Sequence, residues 1–308
     1  MLEGQRIARQ NAKASDWISI RDIGFYYGLI VLACVLVVYT GFNWLVCLLA
    51  VLMIAKAQNG LLLSGHEAIH YSLFKNRNAN DLVAMYLCYA PLGVGFYRAR
   101  AAHLDHHRYL LTERDEKLDQ QILEPTRKRL LAHLIWPLLG SYLYKGVLRI
   151  YGLAPSRRAH PDYTLPKSAQ RSDRISILIM GVVLLAVFAL IDWRLILLWG
   201  GTLLTVSAFI HNATAFLDHA RQADEGEGDF LYTYRVTRLD RLFFAVQQAR
   251  HAEHHLFPQV PYHRLDRIEP VVHELSNVRY RGGYIATLFG IYADLDDTPS
   301  REVQGSVG

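Results

Sequence analysis

Of the chain's 14 histidines, eight fall in three five-residue clusters. These are His66-Glu67-Ala68-Ile69-His70, His103-Leu104-Asp105-His106-His107 and His251-Ala252-Glu253-His254-His255. On an α-helix, positions i and i+4 share a face and i+3 lies beside them. The first cluster therefore presents two imidazoles side by side, and each of the others presents a pair with a third ring one position away. Eight such donors exceed the usual four to six ligands of one transition-metal ion, so they suit two ions. An imidazole set without thiolate points to Fe, Zn or Cu rather than Mg²⁺ or Ca²⁺. A ninth donor is expected in residues 211–219, with His219 at the end of an apolar helix as the preferred ligand. Asn212, seven residues earlier, shares its face, and His211 lies about 12 Å deeper by helical rise. Asn212 suits a water-mediated contact and His211 a cavity wall; otherwise all three form a polar face packed inside a bundle. His133, His160, His263 and His273 read as surface or interfacial residues.

Glu67, Asp105, Asp218 and Glu253 neighbour these histidines, where a carboxylate can accept the second N–H of a metal-bound imidazole. Their plain alternative is a solvated or helix-pairing charge. Asp115, Glu116 and Asp119 lie in a charged run and read as surface. The first cluster also spells His-Glu-x-x-His, the zinc-protease motif with Glu67 as general base. That reading uses two histidines and leaves the other clusters unexplained.

The elements that must hold these residues are apolar. The 308 residues are 52 % hydrophobic and 20 % charged, with mean hydropathy +0.10, formal charge +5 and pI near 9.0. That composition excludes a disordered or collagen-like chain. Cys34, Cys47 and Cys88 lie in apolar stretches, which excludes a disulfide scaffold. Apolar blocks at 23–39, 44–64, 175–191 and 195–217 are long enough to cross about 30 Å of hydrocarbon. The first begins too far from the N-terminus for a cleaved signal and reads as a retained helix. The connections at 40–43 and 192–194 are short and poor in Lys and Arg, whereas 75–174 and the region after His219 are basic. Both termini and the central region are therefore expected on the cytoplasmic side. The basic residues read as topogenic and lipid-facing charge, with no nucleic-acid partner.

The fold expected is an all-α integral membrane protein: four transmembrane helices in two hairpins, with a mainly helical cytosolic cap carrying the histidines. Its divisions are a cytosolic segment at 1–22, hairpin one at 23–64, cap at 65–174, hairpin two at 175–217, cap again at 218–296 and a flexible tail at 297–308. Residues 82–96, with Pro91, Gly93 and Gly95, suggest an interfacial or partly inserted element. Residues 130–153 suggest an amphipathic helix on the membrane.

The three clusters, with their separations, resemble the membrane fatty-acid desaturase superfamily. Asn76-Arg77-Asn78-Ala79-Asn80-Asp81 resembles that family's N-R-x-x-N-D stretch. His254-His255-Leu256-Phe257-Pro258, followed by Pro261 and Leu265, resembles its H-H-L-F-P-x-x-P-x-x-x-L ending. The resemblance spans about residues 24–268. It implies two non-haem iron ions that activate O₂, with iron ligation carried onto His66, His70, His103, His106, His107, His251, His254 and His255 and His219 as the added ligand. Redox-inert zinc could not remove hydrogen from an unactivated methylene, which agrees with iron. The reaction implied is desaturation of a fatty acyl chain. Alternatives are a hydroxylase or ketolase of the same superfamily acting on a lipid, carotenoid or specialised metabolite, and, more remotely, a zinc protease or a metal transporter. No haem- or flavin-binding segment is recognisable, so electrons are expected from a separate ferredoxin-like or cytochrome-type donor with its reductase. A bacterial inner membrane is the expected location.

Overall fold

A computed structural model describes residues 2–110, 112, 114–115, 122, 125–141, 165–219, 231–275 and 278–296. His160, Glu116, Asp119, residues 142–153 and the tail at 297–308 lie outside the described residues. After α1 (Leu2–Asn11) come α2 (Asp16–Tyr39) and α3 (Trp44–Ile69), a hairpin of two apolar helices. The second pair is α7 (Lys167–Ile191) and the span Arg194–His219, made of α8 (Arg194–Thr202), a π-helical stretch (Leu203–Ser207) and α9 (Ala208–His219). All four are long and apolar enough to cross a bilayer. Leu48, Leu49 and Leu52 of α3 and Leu178, Val182 and Leu185 of α7 point outward, an arrangement that suits a hydrocarbon solvent.

The helices run beyond their apolar stretches. Hydropathy marks only the part that needs lipid, whereas backbone hydrogen bonding favours continuing a helix once begun. Thus the first histidine cluster does not follow the second long helix but forms its last turn, with His70 as the C-cap. Two tight connections sit at one end of the bundle. Gly41 and Phe42 take positive φ in the first, and the Arg194 guanidinium of the second lies 3.8 Å from the centroid of the Phe42 ring. Within the bundle, α3 docks on the fourth span through buried polar groups. Gln58 Nε2 donates to the Trp199 carbonyl at 3.1 Å, and Asn59 Nδ2 donates to Ser207 Oγ at 2.9 Å. Such contacts are favoured where the alternative is an unpaired amide in hydrocarbon.

Between the hairpins, α4 (Arg77–Val83) continues through a π-helical and a 3₁₀ stretch to Leu92. The chain then turns by 96° into α5 (Phe96–Tyr109). Gly93 makes the turn with φ +71°, a conformation that disfavours any side chain with a Cβ. Asp173 of α7 then caps the new helix: its carboxylate accepts from Tyr97 N at 2.9 Å and Arg98 N at 3.0 Å. A negative charge at a helix N-terminus is stabilised by the macrodipole. A Cβ on Gly95 would fall 2.5 Å from Asp173 Oδ2, so only glycine lets the carboxylate approach. The third span therefore sets the direction in which the second histidine cluster is presented.

The described part of the expected amphipathic helix is α6 (Arg127–Leu138). Leu130 and Leu134 are buried beside Ile210, Phe216 and Leu217 of the fourth span, while Leu131, Ile135 and Trp136 face outward. Beyond the spans come β1 (Tyr232–Tyr234), α10 (Arg238–Phe243), α11 (His251–Leu256), α12 (Glu269–Leu275), β2 (Arg279–Arg281) and α13 (Tyr284–Asp294). The two strands pair in parallel, and everything else of regular structure here is helical. The result is all-α in character with four candidate spans, as the residue pattern led one to expect.

The α2–α3 crossing depends on Gly60, where a Cβ would collide with the Tyr26 ring. Gly60→Ala should lower the stability of the detergent-solubilised protein by about 1–3 kcal/mol, the usual cost of overpacking. Tyr26→Leu in the same chain should recover part of it in thermal unfolding. Equal stability of Gly60→Ala and the parent would contradict this crossing.

Candidate metal centre

Each histidine is delivered by a locally braced element. His66 and His70 lie at the end of α3, where the last carbonyls of a helix lack intrahelical donors. Here the Ala68 carbonyl receives Asn80 Nδ2 at 2.9 Å and Arg100 Nη2 at 2.8 Å. Arg100 also forks onto Asp81, at 2.9 and 2.6 Å, and so ties α5 to α3 and α4. His103, His106 and His107 occupy one side of α5. His219 ends α9. His251, His254 and His255 sit on α11, which is six residues long. A helix so short is held by its surroundings rather than by propensity: buried Glu253 accepts from Arg250 Nη1 at 2.9 Å and from the Thr233 hydroxyl of β1.

These elements bring nine imidazoles together in two adjacent groups. Donor atoms of His66, His70, His103 and His254 lie within 4.8 Å of one another, and so do those of His106, His219, His251 and His255. His107 joins the first group, its Nε2 standing 2.9 Å from His103 Nε2 and 3.1 Å from His254 Nε2. Its ring also stacks on His255 at 4.2 Å, so the two groups share a wall.

The nitrogen spacing tests whether metal ions fit. His103 Nε2 faces the Nε2 atoms of His66 at 2.7 Å, His107 at 2.9 Å and His254 at 3.5 Å. In the second group, His219 Nε2 faces His106 Nε2 at 3.1 Å and His251 Nε2 at 3.0 Å. An imidazole nitrogen has a single in-plane direction, occupied by either a proton or a lone pair. Hydrogen bonds could satisfy only one of the three approaches to His103. One cation shared by several lone pairs satisfies them all, since adjacent ligands at about 2.0–2.1 Å from an ion stand about 3 Å apart. His255 Nε2 is likewise buried without a hydrogen-bond partner. Burial, reinforced by the surrounding imidazoles, holds the His251 and His255 pKa values well below the usual histidine range. Both rings are thus neutral, the form that ligates.

The neighbouring polar residues divide. Asp115 is a correction to the sequence reading, which assigned it to the surface. It is 4 % exposed, and its carboxylate lies 2.9 Å from His106 Nδ1. An Nδ1–H donated there turns the Nε2 lone pair toward the second group. The charged run concealed it, because no local spacing reports that the chain folds back after α5. Asp218 is buried with Oδ2 3.8 Å from His251 Nδ1. Glu67 accepts from Ser72 Oγ and from Tyr262 N, both at 3.0 Å, bracing the first cluster against the segment that follows the third. Glu253 is engaged as described above, and Asp105 is half-buried on α5. Asn212 Nδ2 donates to the His133 carbonyl at 3.0 Å, which fastens α9 to α6. His211 lines a narrow cavity beside His103, His106, His219 and His251, together with Asn59, Thr214 and Gln248.

This chain belongs to the fatty acid desaturase family, whose model matches residues 42–286. It is also similar to an omega-3 fatty acid desaturase, chloroplastic, of Sesamum indicum, at 25 % identity over 80 % of this chain. The match spans 58 % of that relative's length.

Asp115→Ala should weaken metal retention about 10–100-fold, the typical effect of removing a carboxylate behind a ligating histidine. Metal content after graded chelator treatment reads this, and retention equal to the parent would remove Asp115 from the centre.

Proposed function

We propose that this protein is an O₂-dependent membrane oxidoreductase holding two non-haem iron ions and desaturating a fatty acyl chain. The observation that carries the proposal is the pair of adjacent all-imidazole groups, built from the ends of two candidate membrane spans and from two shorter helices, in a chain of this family. His66, His70, His103, His107 and His254 would hold one ion, and His106, His219, His251 and His255 the other. Bound iron would supply the redox chemistry needed to break unactivated C–H bonds. The balance is acyl –CH₂–CH₂– plus O₂, two electrons and two protons giving –CH=CH– and two waters. The electrons would come from a separate ferredoxin-like or cytochrome-type donor.

The chain's own contribution is placement and exclusion of water. Neutral, tightly packed imidazoles fix the metal positions. Asp115 orients His106, and the Arg100 and Asn80 contacts keep the first two clusters at fixed separation. The cavity beside His103 and His219 offers a place where a substrate methylene can be held near both groups. The clustered Lys and Arg residues support a cytoplasmic position for the histidine face and both termini.

Hydroxylation is the second reading, favoured by one observation: Asn59, His211, Thr214 and Gln248 give that cavity a partly polar wall. The protease reading is disfavoured because Glu67 already accepts from Ser72 and Tyr262, which engages the proposed base. Transport is disfavoured because both groups gather at helix ends rather than along a path at mid-bilayer depth.

Purified protein should carry about two irons per chain by elemental analysis, matching the two groups. His106→Ala and His254→Ala should each abolish turnover and lower iron content. Products from cells fed defined acyl substrates should lack two hydrogens; gain of one oxygen would select hydroxylation, and a single zinc would overturn the proposal.

A further inference from the structure

Tyr71 follows His70 directly and has φ +59°, a left-handed conformation that a bulky side chain adopts only under constraint. It closes the end of α3. Tyr71 N donates to the Ala68 carbonyl at 3.1 Å and Ser72 N to the Glu67 carbonyl at 3.0 Å. Glycine is the usual residue at this place in such a turn, because it has no Cβ to strain. A tyrosine here must therefore contribute something through its ring.

Two guanidinium groups lie over that ring, Arg100 at 4.4 Å and Arg77 at 4.8 Å from its centroid. Arg100 Nη1 also donates to the Tyr71 hydroxyl at 3.3 Å. Phe42, the other non-glycine residue with positive φ among the described residues, likewise has a guanidinium on its ring. In both cases a cation–aromatic contact offsets backbone strain of the same order.

The contact bears on the histidines through α5. Arg100, His103 and His107 stand at i, i+3 and i+7 and share a face of that helix. His70 and Tyr71 meet this face in register. The His70 ring centroid lies 5.0 Å from that of His103 and 4.9 Å from that of His107, and the Tyr71 ring meets Arg100 one turn earlier. Arg100 is anchored by Asp81 and the Ala68 carbonyl, so the ring rests on a fixed group. His70 depends on such support. Unlike the other histidines of its group it is a C-cap, with φ −95° and ψ 10°, outside the regular helix.

We propose that Tyr71 is a positioning residue for the first histidine group. Its ring, held by Arg100 and Arg77, locks the strained turn that aims the His70 imidazole at His103, His107 and His254. The inference rests on the metal reading above and adds a requirement that histidine spacing does not contain.

The test is Co²⁺ binding to the full chain in detergent, which needs neither O₂ nor an acyl substrate. The parent should bind two ions, whose visible absorption reports their coordination geometry. Tyr71→Gly relieves the strain while removing the ring, so the metal-free thermal midpoint should stay within about 3 °C of the parent. One Co²⁺ should nonetheless be lost to chelator about tenfold more readily, with altered absorption, while the other is retained as in the parent. Tyr71→Phe, which keeps the ring, should recover retention and spectrum. Asp115→Ala, acting on the second group, should perturb the other ion and so assign the two. Arg77→Gln, an exposed change, supplies a further arm in case Tyr71→Gly does not fold, with retention about twofold weaker. Parent-like retention and absorption in Tyr71→Gly would overturn the proposal. So would Tyr71→Phe no better than Tyr71→Gly, a loss of metal that only follows a fall in thermal midpoint, or, where Tyr71→Gly does not fold, unchanged retention in Arg77→Gln. A parent chain that binds no Co²⁺ would overturn the metal centre itself and this inference with it.

Discussion

Imidazole nitrogens packed about 3 Å apart are the constraint around which the rest of this structure is organised. Neutral rings at that distance cannot all hydrogen-bond to one another, and protonated rings would repel. The arrangement is sustainable with cations among the lone pairs, and the scaffold must resist dispersal of the rings without them. That requirement explains why so many unusual backbone features gather on one side of the bundle. Gly93 turns the chain, Gly95 admits the Asp173 carboxylate, and Arg100 and Asn80 close the open end of α3. Each brings a different stretch of sequence to the same small volume.

The division of labour follows the physics of each element. Long helices supply fixed positions: His66 lies in the last turn of one span and His219 ends another, and their packing is set by buried Gln58, Asn59 and the Gly60–Tyr26 contact. The short helix His251–Leu256 supplies three rings but little intrinsic stability. It borrows rigidity from Glu253, which reaches both Arg250 and the strand residue Thr233. The Thr233–Glu253 contact, buried on both sides, turns polar groups that would be a liability alone into a fastener.

The sequence made some of this legible and hid the rest. Spacings of three and four residues revealed which histidines share a helical face, because that periodicity is local. Apolar run lengths revealed four spans for the same reason. The allocation of rings between the two groups was not legible: His106 and His107 are adjacent in the chain yet serve different groups, which depends on how α5 is rotated against its neighbours. Asp115 was hidden by its charged surroundings, and its role exists only because the chain returns to His106 after the helix ends. The extent of α3 was underestimated, since hydropathy falls where the helix leaves lipid while its backbone pattern continues to Ile69.

Asp173 joins two regions that are usually treated apart. It belongs to a helix long enough to cross the bilayer, and its carboxylate holds the first turn of the helix bearing His103, His106 and His107. A membrane thinner than that span is matched when the helix tilts. Such leaning would swing α5 about its cap and shift three rings together, so thinning of the surrounding lipid becomes a mechanical input to the geometry of the two histidine groups.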